Sequence, residues 1–415
     1  MFLSGQNNER WILATLFFVQ AHANALWYVP FSTVLQSHQL GWLTPYAFAS
    51  TAIAAFFSPM VGGTLADRHI APAKLLRYLA LGISAFLWLS YLLLEKGAGG
   101  GWVLLLLQIE QIWSAPAWGI TSMMVLSRLS DPGRQFGPLR AWATYGWMSA
   151  CWIISLALDA DASTRSGYCS AVAWLLVAAL TYLVPADAPQ SRAGAGTGRW
   201  RDLFGLETFA ILRDPRHRAV FVSAGLLSIP LAAFYPFTPL HLHDLGFRKV
   251  SAVMSLGQVT EALAMYGLAA LLKRWRLRNV FLLAIGACLA RYGLFASDCV
   301  PGVIAGIALH GVGFAFFFVP GQIYIEQRIE RSLRFRAQGL LTLLIAGFGN
   351  LFGYLGCGWW RAFCTEGGRT AWQTYWLGLG TAVLAVGVYF FRAYGKATHS
   401  EAEKLVVGLA DPSGG

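Results

Sequence analysis

The chain has 415 residues, of which 56% are apolar and only 12% are charged. A soluble domain carries about twice that share of charge, so a soluble enzyme is excluded and a chain built for the bilayer is indicated. The net charge of +11 is not a nucleic-acid footprint, because Lys and Arg of membrane proteins gather in the loops of one side.

A helix crosses a bilayer with about 20 mostly apolar residues. Segments of that kind run at 11–35, 43–66, 75–95, 101–126, 138–158 and 167–186. A second set follows at 217–240, 249–272, 279–297, 301–326, 337–360 and 371–395. The first has no small-residue cleavage site after a short core, so it reads as a retained span and not a signal peptide. Between spans six and seven lies the one long polar stretch. It contains the Gly- and Ala-rich run Gln190–Gly198, flexible by composition. It resumes at Trp200 with an expected short helix on the membrane surface. The expected fold class is an all-α membrane protein of twelve transmembrane helices in two pseudo-symmetric six-helix bundles. The expected organisation is a bundle at 1–186, a linker at 187–216, a bundle at 217–397 and a tail at 398–415.

Charge sets the orientation. With these spans, 23 Lys and Arg fall on the side of the termini and six on the other, leaving Arg140 and Arg291 within or near the ends of spans. The asymmetry places both termini in the cytoplasm and the protein in the inner (plasma) membrane. The six cysteines form no CxxC pair, so no metal or redox site is indicated. A bridge among Cys169, Cys299 and Cys364 is left open. No cofactor is expected, and a monomer is.

Between spans two and three the chain reads Gly63-Thr-Leu-Ala-Asp67-Arg68. The Gly allows close helix approach, and the Asp can pair with a cation or a helix N-terminus. This resembles the loop signature of the major facilitator superfamily, which implies a conformational latch at Gly63, Asp67 and Arg68. An ordinary charged turn is the competing reading.

Polar groups inside spans usually face a cavity, since charge at the bilayer centre costs at least ~2.5 kcal/mol. Gln20, Asn24 and Trp27 share a face of span one, with His22 on another. Arg140, Thr144 and Trp147 share one of span five. Gln258 and Glu261 lie three apart in span eight, and His310 and Phe314 four apart in span ten. Glu110 in span four could titrate or pair with Arg140, whereas Arg291 reads as structural. Hydrogen bonding between helices is the bland alternative for each polar group.

At these clusters the chain resembles the nucleoside:H+ symporter family of the major facilitator superfamily. The likeness rests on Phe136-Gly-Pro-Leu-Arg140-Ala-Trp-Ala-Thr144-Tyr-Gly-Trp147 and Met254-Ser-Leu-Gly-Gln258-Val-Thr-Glu261. Leu203–Leu212, Arg336–Gly339 and Ala371–Trp376 extend it over most of the length. The resemblance implies a secondary active transporter importing nucleosides or nucleoside-like solutes with protons. Arg140, Thr144, Trp147, Gln258, Glu261, His310 and Phe314 would line the substrate site, with Gln20, Asn24 and Trp27 beside them. A nucleoside is a flat π surface joined to hydroxyls, which aromatic faces, amides and carboxylates suit.

The chain also departs from the family. His310 stands where the family tends to have Tyr, and Ala315 where it tends to carry an Asp tied to proton coupling. Family Gln and Asn contacts fall near Pro230 and Ala233. Coupling candidates are therefore Glu261, then His310, which titrates near neutrality, then Glu110. Uncoupled transport, or transport of a sugar or an aromatic acid through Arg140, stays open. A membrane-embedded enzyme or sensor is the remote alternative, because Asp298 and Glu366 are isolated.

Overall fold

A computed structural model describes residues 2–68, 70–184, 206–331 and 333–409. The described chain is helical apart from one hairpin. Its first helices are α1 (Phe2–Tyr28), α2 (Phe31–Ser37), α3 (Thr44–Arg68), α4 (Pro72–Glu95), α5 (Gly100–Ser114), α6 (Ala117–Leu126), α7 (Pro132–Trp152) and α8 (Arg165–Leu180). Then follow α9 (Pro215–Leu231), α10 (Phe234–Asp244), α11 (Val250–Met254), α12 (Leu256–Arg274), α13 (Leu277–Ala296) and α14 (Val300–Arg328). The last are α15 (Arg334–Thr342), α16 (Asn350–Phe363) and α17 (Trp372–Leu409). Strands β1 (Thr365–Glu366) and β2 (Arg369–Thr370) pair antiparallel through Gly367 and Gly368. Both glycines have positive φ, as a tight two-residue hairpin requires.

Among the described residues, eight helical stretches are long and apolar enough to cross a membrane, and Arg165–Leu180 is a shorter apolar helix. Large apolar side chains such as Trp88, Leu89, Leu176 and Leu384 are exposed on these helices, as lipid-facing positions are.

Several expected continuous spans are broken. Pro30 separates α1 from α2, and Pro116 separates α5 from α6. Proline lacks the N–H that the ladder needs and crowds the preceding turn. α9 gives way to α10 two residues after Pro230. The segments Ile153–Ala157 and Leu343–Gly349 are π-helical. The surface segment is a 3-10 helix at Leu206–Arg213; Gln190–Gly198 and Trp200 lie outside the described residues. Asp214 starts α9 firmly, accepting the Arg216 and His217 amides at 2.7 and 3.1 Å ahead of Pro215. All six cysteines are free thiols, so no bridge joins Cys169, Cys299 and Cys364.

The chain forms two compact units. One comprises Met1–Gly198 with Ala233–Val259, the other Arg199–Ala232 with Thr260–Gly415. The α10 and α11 segments therefore pack with the N-terminal helices.

Candidate functional site

In the first unit, α7 lies against α1, and Gly146 permits the close approach. A Cβ there would stand 2.1 Å from the Phe18 carbonyl oxygen. His22 secures the same contact, with Nδ1 2.8 Å from the Ser149 hydroxyl. This crossing sets the height at which Arg140, Thr144 and Trp147 stand on α7. Arg140 is exposed, its guanidinium 5.7 Å from the Trp118 ring centroid. Thr144 and Trp147 are half-buried.

Trp147 belongs to an aromatic cluster. Its ring meets Tyr28 at 6.0 Å and Tyr235 at 5.8 Å, and Tyr28 meets Tyr235 at 5.2 Å. Trp27 joins through Tyr28 at 5.4 Å. Gln258 closes the group by donating from Nε2 to the Tyr235 hydroxyl at 2.9 Å. Its Oε1 is buried without a hydrogen bond, as are the indole N–H groups of Trp27 and Trp147. Together these groups form an edge-to-face aromatic cluster, its rings crossing at 61–89°, with unspent buried polar atoms. Tyr28 and Tyr235 were not singled out in the sequence. Their signal is an aromatic beside a helix break, at Pro30 and at Ala232-Ala233. Tyr235→Phe is expected to strip Gln258 of its described side-chain hydrogen bond and cost about 1–2 kcal/mol, read as a lower melting temperature of the purified protein.

Other expected members stand apart. Gln20 accepts from Thr121 on α6 at 2.6 Å, an interhelical bond. Asn24 is half-buried on α1. Glu110 is fully buried on α5, its Oε2 accepting from Gln111 at 2.6 Å and its Oε1 from nothing. Of the two alternatives for Glu110, titration or pairing with Arg140, the second is not seen: its described partner is Gln111, on one oxygen. Gly63, Asp67 and Arg68 lie on α3, but their side chains are outside the described residues.

In the second unit, Glu261 is half-buried on α12. His310 and Phe314 stack on α14, with centroids 6.4 Å apart and planes 26° from parallel. Phe314 is 40% exposed and Ala315 is fully buried. Arg291, expected to be only structural, donates from Nη1 to His310 Nδ1 at 2.8 Å.

A polar cluster ties α11 to the loop after α7. Asp161 accepts the Ser251 amide at 2.6 Å and the Ser155 hydroxyl at 2.7 Å, while its carbonyl accepts from Thr33. The Ala252 amide donates to the Ser155 hydroxyl at 2.9 Å. Lys249 reaches Asp159 at 2.9 Å and the Ser155 carbonyl. The Lys249 hydrogen bond holds the Asp159 carboxyl below its ordinary value. Burial pushes Asp161 up, against the pull of Ser251. The Asp161 carboxylate is thus the N-terminal cap of α11, supplied from a remote loop.

The model of the nucleoside H+ symporter family matches residues 9–399. The chain belongs to that family. It is a family of transporters, not enzymes. The protein is 28% identical over 361 residues to the putative nucleoside transporter YegT of Escherichia coli, covering 82% of each chain. It is 27% identical over 350 residues to the nucleoside permease NupG of Escherichia coli, covering 80% of this chain and 82% of the permease. The crystal structure of the nucleoside transporter NupG superimposes with a TM-score of 0.83 at 24% identity, covering 93% of this chain and 99% of the other. The fold is therefore that of an all-helical membrane transporter.

Proposed function

We propose that this chain imports nucleosides by alternating access, coupled to protons. In this reading it is a monomeric twelve-span carrier of two six-helix bundles in the inner membrane, with both termini cytoplasmic. The carrying observation is the Trp147–Tyr28–Tyr235 cluster with Gln258 at its edge. It offers aromatic rings for a base, one unspent amide oxygen as acceptor and two indole N–H donors, which is the pairing a nucleoside asks for. Arg140 and Thr144 are the further candidate contacts of the first unit, and Glu261, His310 and Phe314 are the candidates of the second. Arg140 also supports a second reading, a solute bearing a carboxylate.

Coupling requires a group that gains and loses a proton within the cycle. Ala315 cannot do so. Glu261 and Glu110 remain the carboxyl candidates. The test is uptake of labelled uridine and adenosine into proteoliposomes, with and without an inward proton gradient. Wild type is expected to accumulate nucleoside above equilibrium only with the gradient. Glu261→Gln is expected to abolish that accumulation while counterflow exchange persists, and Glu110→Gln is the parallel measurement. No uptake of either nucleoside by folded protein would sink the assignment, and uptake of labelled aromatic acids by the same preparation would then favour the carboxylate reading.

A further inference from the structure

The turn between α12 and α13 is short and strongly basic. α12 ends on Lys273 and Arg274, Trp275 and Arg276 make the turn, and α13 carries Arg278 in its first turn. No Asp or Glu stands in the chain between Glu261 and Asp298. α17 packs on α13 and brings Arg392, again with no acidic residue between Glu366 and Glu401. Lys273, Arg274, Arg276 and Arg392 are exposed, and Arg278 is half-buried. Among the described residues none of these cations makes an ion pair. Elsewhere arginines at helix ends are spent on acids, Arg334 on Glu326 at 3.1 Å and Arg128 on Glu9 at 3.0 Å.

Arg278 is the fixed member of the group. Its guanidinium carbon lies 4.8 Å from the Phe391 ring centroid, and its Nε is buried without a hydrogen bond. A guanidinium partly withdrawn from water with no counter-charge is costly, and an anion beside it lowers that cost. The surroundings indicate which anion. Phe391 is 55% exposed and Trp275 45%. From Phe391 an exposed apolar stripe runs along α17 through Val388 and Leu384, at spacings of three and four that keep to one face. The stripe lies within Trp372–Gly395, a stretch long and apolar enough to cross a membrane. Cations at the helix ends, exposed rings beside them and an apolar track leading away fit a molecule with an anionic head and an acyl tail.

We propose that the α12–α13 turn and the adjoining part of α17 form a binding site for an anionic phospholipid. Its phosphate is held at Arg278 among the flanking cations, and an acyl chain lies along Phe391, Val388 and Leu384. The site is separate from the candidate solute contacts. It rests on the chain being a membrane protein and not on the nucleoside assignment. A loop whose cations only set membrane orientation is the competing reading, and it requires neither the Arg278–Phe391 contact nor a preference among lipids.

The test uses no solute, so its outcome is independent of uptake. The purified full chain in detergent is titrated with phosphatidylglycerol or phosphatidylcholine, and native mass spectrometry reads the lipid held. Wild type is expected to bind phosphatidylglycerol about 10- to 100-fold more tightly. Arg274→Gln/Arg276→Gln/Arg278→Gln is expected to lose most of that preference. Arg328→Gln/Arg331→Gln/Arg334→Gln removes the same charge at another turn and is expected to keep it. Equal losses in the two triple variants, or no preference in the wild type, would overturn the site. Melting temperatures show which variants are folded. Phe391→Ala leaves every charge in place and keeps the question answerable if the first triple variant does not fold. It is expected to weaken phosphatidylglycerol binding several-fold, and unchanged binding would overturn the placement at Arg278. Inorganic phosphate in large excess is expected to leave the lipid bound. Displacement by it would reassign the site to a free anion and overturn the lipid claim.

Discussion

Asp161→Ala is expected to free the start of α11, with a local cost of about 2–4 kcal/mol. The side chain removed is a helix cap, worth ~1 kcal/mol. It also serves two donors, the Ser251 amide and the Ser155 hydroxyl, in residues that are all buried. Each buried donor left unserved costs roughly 1–3 kcal/mol, and water entering at the loop recovers part of it. Amide exchange at Ser251 is the direct readout. It is expected to accelerate about 30- to 1,000-fold, since about 1.4 kcal/mol is tenfold. Exchange unchanged in the variant would show that the cap contributes nothing. Lys249→Met is the contrasting change. Its bond to Asp159 is an exposed ion pair, and such pairs contribute about 0–1 kcal/mol.

The same carboxyl has a pH signature. Burial raises Asp161 above the ordinary 3.8 in the folded chain, so the folded state holds this proton more firmly than the unfolded one. Stability from this group is then greatest at acid pH. It declines as pH rises from 3.8 through the raised value and is level beyond it. Asp159 is shifted the opposite way by Lys249, so its contribution survives to more acidic pH. Asp161→Asn keeps an acceptor for Ser251 and cannot titrate. The melting temperature of the wild type relative to Asp161→Asn is expected to fall across that window, and a constant difference would refute the assignment.

Arg140→Ala is expected to lower kcat/KM for nucleoside uptake about 10- to 100-fold while barely moving stability. The guanidinium is exposed, and its contact with Trp118 at 5.7 Å is worth about 0.5–1 kcal/mol to the fold. A hydrogen bond from it to a solute is worth roughly 1.5–3 kcal/mol. Arg140→Lys retains the charge but not the planar fork, so it is expected to rescue only partly. Normal uptake by Arg140→Ala would remove this residue from the site. Loss of uptake matched by loss of folded protein would make it structural.

The class of this protein was set by amounts that tertiary structure does not alter. A 12% share of charge and repeated apolar runs leave the bilayer as the only solvent for such a chain. The family was legible because a few residues at helical spacing, Arg140 to Trp147 and Gln258 to Glu261, carry the recognisable chemistry. Spacing tells which side chains share a face of one helix, and no more. It could not show that Gln20 is spent on Thr121, that Glu110 turns to Gln111, or that Arg291 reaches His310 from the neighbouring helix. Those partners lie 101, 1 and 19 residues away in the chain, and only packing selects among them. Tyr28 and Tyr235 escaped notice because a tyrosine beside a helix break has no period to betray it. The tertiary structure alone decided that α10 and α11 pack with the first unit. The reason is physical: the Ser251 amide at the start of a short helix needs an acceptor, and folding delivers one from Asp161, 90 residues earlier.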